Sequence, residues 1–231
     1  MTARHHATDE TLMRYAAGRL PAAPARVVAV HLAGCPTCRA RLSTFEAVGG
    51  ALLDEIEPVS MPADAYARAL SAIEAENRPV DTRQFASGQD GRMPGAPGRR
   101  AMADLPGGFA VPEPLRDCEI GPWRWIGIGV RASAIRLPED PEARLTLLRV
   151  GPGRKLPEHG HFGTEFTQVL VGSFSDGFGR YMPGDLSEMD HDIEHQPVVD
   201  PEMECICLAA LEGGMRLTGF FGRLVQPFIR L

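Results

Sequence analysis

The sequence has no long apolar run, no apolar segment near its start and no excess of basic residues. A membrane-spanning helix needs about 18 or more consecutive apolar residues, so no membrane span or membrane partner is expected. The first residues, MTARHHATDE, are polar where a secretory signal would need an apolar core, which predicts a cytoplasmic protein. The formal net charge of −6 argues against a general nucleic-acid-binding protein, because such proteins need a basic face to pair with phosphates.

What the sequence does contain is enough apolar residues to form compact cores. The chain has 231 residues, 44% of them hydrophobic and 23% charged, which predicts one large domain or two small ones. The 25 glycines and 20 prolines are too many for one continuous helical bundle. The five cysteines and seven histidines are candidate metal ligands or redox thiols, because disulfides are uncommon in the reducing cytosol.

The spacing of apolar residues divides the chain into three parts. Residues 1–80 have the period of helices, and residues 81–108 are rich in Gly and Pro, as in a flexible linker. Residues 109–231 alternate with a period of two, which is typical of a β-sandwich or barrel. The predicted fold is therefore α+β with two domains. Helices are expected from residue 8 or 9 to Gly18 or Pro21, and over 22–32, 36–56 and 62–76; strands are expected over 123–130, 132–137, 145–150, 165–172, 174–181, 204–211 and 217–222.

The first group of candidate ligands lies in the segment HLAGCPTC. It places His31, Cys35 and Cys38 in an H-x3-C-x2-C arrangement, and a break in the helix lets both cysteines turn back toward the histidine. Two thiolates and one imidazole are three of the four ligands of a tetrahedral zinc site, and His5 or His6 could supply the fourth. A redox CxxC pair beside an unrelated histidine is the alternative interpretation.

This N-terminal pattern, with YAAGRLP before it and HLAGCPTCRARL around it, resembles the zinc-binding anti-sigma domain. In that family the upstream histidine lies some 25 residues before the second one, which assigns the role to His6 and keeps His5 in reserve. The resemblance covers about residues 1–80. It implies a small helical zinc-binding bundle that holds an extracytoplasmic-function sigma factor away from RNA polymerase.

The second group of candidate ligands lies in the segment GRKLPEHGHFGTEFTQVLVG. The even spacing of His159, His161 and Glu165 places them on one face of a strand, and two imidazoles with a carboxylate inside a barrel are typical of a metal site. The segment also resembles the first motif of the cupin fold, a β-barrel. That resemblance implies a fourth ligand, a histidine from a second motif. His195 is preferred because a Gln-Pro pair follows it, and His191 is the rival; surface histidines in an acidic loop are the alternative.

The combination of a zinc anti-sigma domain with a C-terminal cupin resembles the ChrR-type anti-sigma factors over nearly the whole chain. The resemblance implies a regulator, not an enzyme, that binds its sigma factor in a 1:1 complex and touches no nucleic acid directly. It implies release under oxidative stress, with singlet oxygen or an organic hydroperoxide as the signal, and Zn²⁺ in both sites. A cupin metalloenzyme such as a dioxygenase, with a structural zinc appendage, is the rival hypothesis. A zinc-stabilised interaction module whose cupin binds no metal is a weaker one.

Two further groups of residues each have two interpretations. Cys205 and Cys207 share one face of a predicted strand and are either small apolar residues or thiols that are oxidised during sensing. Tyr66, Leu70 and Ile73 form one stripe of the fourth predicted helix. That stripe is either part of a core or an exposed surface that fits a sigma factor.

Overall fold

A computed structural model describes residues 3–76, 110–213 and 215–217. The predicted domain boundaries at 80/81 and 108/109, and the predicted linker between them, lie outside these residues. In the described part of the chain the helices are α1 (Asp9–Ala16), α2 (Ala22–Gly34), α3 (Pro36–Asp54) and α4 (Ala65–Glu76), with a 3-10 turn at Glu113–Leu115. None of the helices among these residues has the length and apolar character that crossing a bilayer requires.

The strands that follow are short and antiparallel. They are β1 (Glu119–Ile120), β2 (Arg124–Gly127), β3 (Val130–Arg136), β4 (Leu145–Val150), β5 (His159–His161), β6 (Glu165–Val171), β7 (Phe174–Ser175), β8 (Arg180–Tyr181), β9 (Leu186–Met189), β10 (Val198–Val199), β11 (Cys205–Leu211) and β12 (Met215–Leu217). The largest sheet has the order β1-β3-β4-β11-β6-β9, with β2 paired to β3 at its edge. Two smaller sheets, β10-β7-β8 and β12-β5, complete the described part of this region, so the predicted barrel is an open arrangement of sheets.

The α+β fold is confirmed, but two predicted strands are each divided by a turn. The segment predicted as one strand over 123–130 forms β2 and the start of β3, because Gly129 has a φ of 76° that allows the chain to reverse. The segment predicted over 174–181 forms β7 and β8. Between them the carboxylate of Asp176 accepts hydrogen bonds from the backbone N–H groups of Phe178 (2.8 Å) and Gly179 (3.1 Å). Of the strand predicted over 217–222, residues 218–222 lie outside the described residues.

Strand β11 is buried on both faces, and this burial explains its continuous apolar sequence, CICLAAL. Ile206 and Leu208 belong to an apolar cluster that also contains Leu12 of α1 and Val27 and Val28 of α2. The alternate residues of β11 face a second apolar cluster, inside the region formed by strands β1 to β12 (the β domain). This second cluster contains Cys205 and Cys207. Helices α1 and α2 therefore pack on the outer face of the large sheet and lie in one compact unit with it, whereas residues 50–76 belong to a second compact unit.

Thr8 joins α1 to the β domain and also caps the helix. Its hydroxyl oxygen accepts a hydrogen bond from the backbone N–H of Thr11 (3.2 Å) and its O–H donates to Glu188 of β9 (2.8 Å). Replacing Thr8 by alanine removes both bonds, so we expect the free energy of unfolding to fall by about 1–2 kcal/mol in a denaturant titration. Thr44→Ala is the matched control, because the exposed Thr44 hydroxyl only donates to a carbonyl of its own helix. Equal losses in the two variants would contradict the capping role.

Candidate metal centres

The first centre brings together His6, His31, Cys35 and Cys38, whose ligand atoms all lie within 4.8 Å of one another. His6 Nδ1 lies 3.3 Å from Cys35 Sγ and 3.5 Å from Cys38 Sγ. His31 Nε2 lies 3.3 Å from Cys38 Sγ. A tetrahedral zinc ion with bonds of about 2.0–2.3 Å holds neighbouring ligand atoms roughly 3.3–3.8 Å apart, so the spacing fits Zn²⁺.

The local structure explains why these four residues converge. His31 lies in the last turn of α2, Cys35 is the extended residue between the two helices, and Cys38 lies in the first turn of α3. Burial lowers the pKa of His31, which favours the neutral imidazole that a metal requires. Burial also raises the pKa of the Cys38 thiol, and a bound cation would oppose that shift by stabilising the thiolate.

His5 does not join this cluster. Its ring packs against the ring of Tyr181, with the centroids 4.4 Å apart. The structure therefore brings His6, and not the reserve candidate His5, to the two cysteines. A simple CxxC pair would not need two imidazoles beside it, the buried His31 and the half-buried His6, so the arrangement favours a metal site over a redox pair.

The second centre brings together His159, His161, Glu165 and His195, all buried and with ligand atoms within 4.8 Å of one another. The first two lie on β5 and Glu165 begins β6. His195 lies beside β5, because the backbones of His159 and His195 exchange two hydrogen bonds of 3.0 Å. One Glu165 oxygen lies 3.5 Å from His161 Nε2 and 3.3 Å from His195 Nε2. Three imidazoles and a carboxylate suit Zn²⁺ or another divalent transition metal.

Two outer contacts orient the imidazoles of this centre. His159 Nδ1 donates to the carbonyl oxygen of Pro157 (2.8 Å), and His195 Nδ1 donates to the carboxylate of Asp176 (3.0 Å). Both rings therefore present Nε2 to the centre, as metal-binding histidines do. Burial lowers the pKa of His195, but its bonds to Asp176 and Glu165 outweigh burial and raise that pKa to about 9. Burial would raise the pKa of Glu165, yet the neighbouring imidazoles hold it below its usual range.

His191, the rival candidate, is not part of this centre. It is exposed and lies between Asp190 and Asp192, with Nε2 3.5 Å from the Asp192 carboxylate. The structure therefore brings His195 to the other three residues. The exposed acidic group around His191 is of a kind that is common on protein surfaces without a bound metal.

A cavity of about 730 Å³ opens onto the second centre. His159, Glu165 and His195 line it on one side, and most of the other lining side chains are apolar: Ile126, Ile128, Val130, Leu148, Val150, Leu156, Phe174 and Val199. Cys205 and Cys207 also line the cavity, with their Sγ atoms 3.4 Å apart. Contact with Cys205 and burial raise the pKa of Cys207, so this thiol is neutral. The cavity can therefore hold a small apolar molecule beside both the metal ligands and the thiols.

Sequence reasoning missed the residues that support the ligands. Asp176 orients His195, and the side-chain oxygen of Gln168 lies 3.0 Å from His31 Nδ1. Gln168 gave a signal, because it is a polar residue inside the apolar strand EFTQVLV, where burial requires a hydrogen-bond partner. The sequence carries no comparable signal for Asp176, because aspartate is common in glycine-rich turns.

Comparison with known proteins shows what each part of the chain is similar to. Residues 6–39 match the model of a putative zinc-finger family, and residues 114–213 match that of the ChrR cupin-like domain. The whole chain is 40% identical over 234 residues to the anti-sigma-E factor ChrR of Cereibacter sphaeroides, covering 100% of both proteins. A chain in the crystal structure of Rhodobacter sphaeroides SigE in complex with the anti-sigma ChrR matches with a TM-score of 0.66 and 34% identity, over 92% of this chain and 100% of that one. The protein therefore belongs to the ChrR family of anti-sigma factors.

Proposed function

We propose that this protein binds an extracytoplasmic-function sigma factor in a 1:1 complex in the cytoplasm and keeps it from RNA polymerase. The observation that carries the proposal is the full-length relationship to an anti-sigma factor, supported by the match to a relative in complex with SigE. We keep residues 1–80 as the sigma-binding helical domain, 81–108 as a linker and 109–231 as the cupin sensor.

The second compact unit offers a surface for the sigma factor. Single exposed apolar residues are ordinary, but a dense group of them on one short segment is typical of a protein-binding surface. Tyr66 is 75% exposed, Leu70 42% and Ile73 55%, so these three side chains do not form a core in the free chain. They belong to an exposed apolar group that comprises Leu52, Leu53, Ile56, Val59, Met61, Tyr66, Leu70 and Ile73.

Zinc in the first centre has a structural role in this proposal. The four protein ligands would fill the coordination shell of Zn²⁺ and leave no position for a substrate. Bound there, zinc would supply coordination bonds that join the N-terminal segment, the end of α2 and the start of α3. His6, His31, Cys35 and Cys38 would each hold one corner.

The cupin centre is the proposed sensor of oxidative stress, with singlet oxygen or an organic hydroperoxide as the signal and Zn²⁺ as the metal. Two features of this region support the proposal. An apolar cavity gives a small molecule a place beside His159, Glu165 and His195, and the thiols of Cys205 and Cys207 line the same cavity with their Sγ atoms 3.4 Å apart. A bound metal would order its four ligands. Loss of the metal, or oxidation of a ligand, would change the packing of the side chains around this centre.

The variant Glu165→Ala tests the sensor in the full-length chain. Without this buried carboxylate we expect the protein to lose about one metal ion per chain, because one of four ligands is gone. The variant should still bind its sigma factor but should no longer release it when oxidant is added. Metal analysis and sigma-factor binding with and without oxidant measure these results. Glu202→Ala, at an exposed position of the same domain, is the matched control and should behave as the unaltered protein.

Release of sigma by Glu165→Ala as efficient as that by the unaltered chain would reject the sensor role. Co-purification from the native cell, with metal analysis of the complex, tests the wider proposal. Two zinc ions and a bound sigma factor support it. One zinc and one iron, with oxygen consumed on a small substrate, would instead support the cupin metalloenzyme.

A further inference from the structure

We propose that Gln168 is a positioning residue that links the two candidate metal centres. Through it, the state of the second centre (the cupin centre, at His159, His161, Glu165 and His195) would alter zinc retention in the first centre (the helical centre, at His6, His31, Cys35 and Cys38). The inference rests on the proposed binding of metal at both centres. The contact between Gln168 and His31 is where the β domain would act on the sigma-binding domain.

Gln168 contacts His31, and these two buried residues lie 137 positions apart in the sequence. Gln168 Nε2 donates to the carbonyl oxygen of Val169 (3.2 Å), which turns its side-chain oxygen toward His31. That oxygen lies 3.0 Å from His31 Nδ1, and the carbonyl oxygen of Gly184 lies 3.1 Å from the same nitrogen. Two acceptors require Nδ1 to carry the proton, so Nε2 presents its lone pair to the zinc position near Cys38.

The same region of the β domain also positions His6, the other imidazole of the helical centre. The buried Asp185 carboxylate accepts hydrogen bonds from the backbone N–H groups of Arg4 (2.6 Å) and His5 (3.1 Å). The backbone N–H of Leu186 donates to the carbonyl oxygen of His5 (3.2 Å). These bonds set the position of His6, the next residue. Residues of the β domain therefore position both histidines of the helical centre.

Strand β6 connects the two centres. Glu165 and Gln168 lie three residues apart on β6, so their side chains project from opposite faces of that strand. Glu165 faces the imidazoles of the cupin centre, and Gln168 faces His31. A divalent metal bonds a carboxylate oxygen at about 2.0–2.2 Å, so its loss would free Glu165 to move relative to its histidines. Strand β6 would carry that movement to Gln168 and weaken the orientation of His31.

The test compares Gln168→Met with Gln168→Glu in the full-length chain. Methionine keeps the length of the side chain but removes the strong acceptor, whereas glutamate keeps an acceptor oxygen. We expect zinc transfer from the helical centre to a chromophoric chelator to be about tenfold faster in Gln168→Met, and near the unaltered rate in Gln168→Glu. A tenfold effect is at the lower end of the range for residues that support a metal ligand. We expect the lower end because the carbonyl oxygen of Gly184 would still accept a hydrogen bond from His31 Nδ1.

Each variant is also combined with His161→Ala, which removes a ligand of the cupin centre, to measure the coupling. In the unaltered background we expect His161→Ala to accelerate zinc loss from the helical centre about fivefold. In the Gln168→Met background that acceleration should largely disappear, because the link is already broken. If Gln168→Met does not fold, Gln168→Asn, whose shorter side chain cannot reach His31, takes its place with the same expected results.

Two outcomes overturn the inference alone: zinc transfer that is as slow in Gln168→Met as in the unaltered chain, or effects of Gln168→Met and His161→Ala that simply multiply. A helical centre that binds no zinc even in the unaltered chain overturns the proposed function as well. Metal content of the unaltered chain, measured first, distinguishes the two kinds of failure.

Discussion

Replacing Cys38 by serine should empty the helical centre and weaken sigma-factor binding by about a hundredfold or more. Cys38 is fully buried and would supply one of the four ligands of the proposed zinc site, and serine is a poor ligand for zinc. Structural zinc contributes roughly 10–16 kcal/mol of apparent binding free energy to the folding of small zinc domains, so losing it should release the start of α3 from α2. Atomic absorption should show about one zinc fewer per chain, and a binding titration gives the affinity.

The chain contains a matched control for this change. Cys118 is also buried, at 5% exposure, but lies in the β domain outside both clusters, and burial raises its pKa to about 11, so that it is a neutral thiol. Cys118→Ser makes the same chemical change and should leave zinc content and sigma binding intact. Full sigma binding by Cys38→Ser despite the loss of zinc would show that the metal is not required for the bundle.

The two candidate clusters could be anticipated because most members of each lie close together in the sequence. His31, Cys35 and Cys38 lie within eight residues, and His159, His161 and Glu165 within seven, so only a short turn separates the members of each group. The expectation that one strand carries His159, His161 and Glu165 is wrong, because the chain turns after β5 and Glu165 begins β6. Resemblance to families, and not spacing alone, favours the distant candidates His6 and His195 over His5 and His191. The structure places them by longer-range contacts, such as the packing of His5 on Tyr181.

The packing of the helices on the large sheet could not be predicted in the same way. The apolar sequence of β11 indicates burial on two faces, but it does not identify what covers the outer one. That cover is provided by Leu12, Val27 and Val28, which are also apolar positions of ordinary amphipathic helices. The role of Gln168 follows only from this packing, since its partner His31 is far away in the sequence.

Introducing charge on the exposed stripe of α4 should also weaken sigma-factor binding, but without loss of zinc. In the double variant Tyr66→Asp with Leu70→Asp, two aspartates would replace apolar side chains at the proposed interface. Central apolar residues of such interfaces contribute about 2–4 kcal/mol each, so we expect affinity to fall by at least about a hundredfold in a binding titration. Zinc content and the free energy of unfolding should be unchanged, because both positions are exposed in the free chain.

Ser71→Asp is the matched control, because Ser71 is exposed on the same helix but lies away from the stripe of Tyr66, Leu70 and Ile73. It should bind sigma as the unaltered chain does. A double variant that still binds would place the interface elsewhere on the molecule, and one that unfolds would show that the stripe belongs to a core. The comparison with Cys38→Ser then separates two causes of lost binding. Loss of a zinc ligand should remove zinc and affinity together, whereas charge on α4 should remove affinity alone.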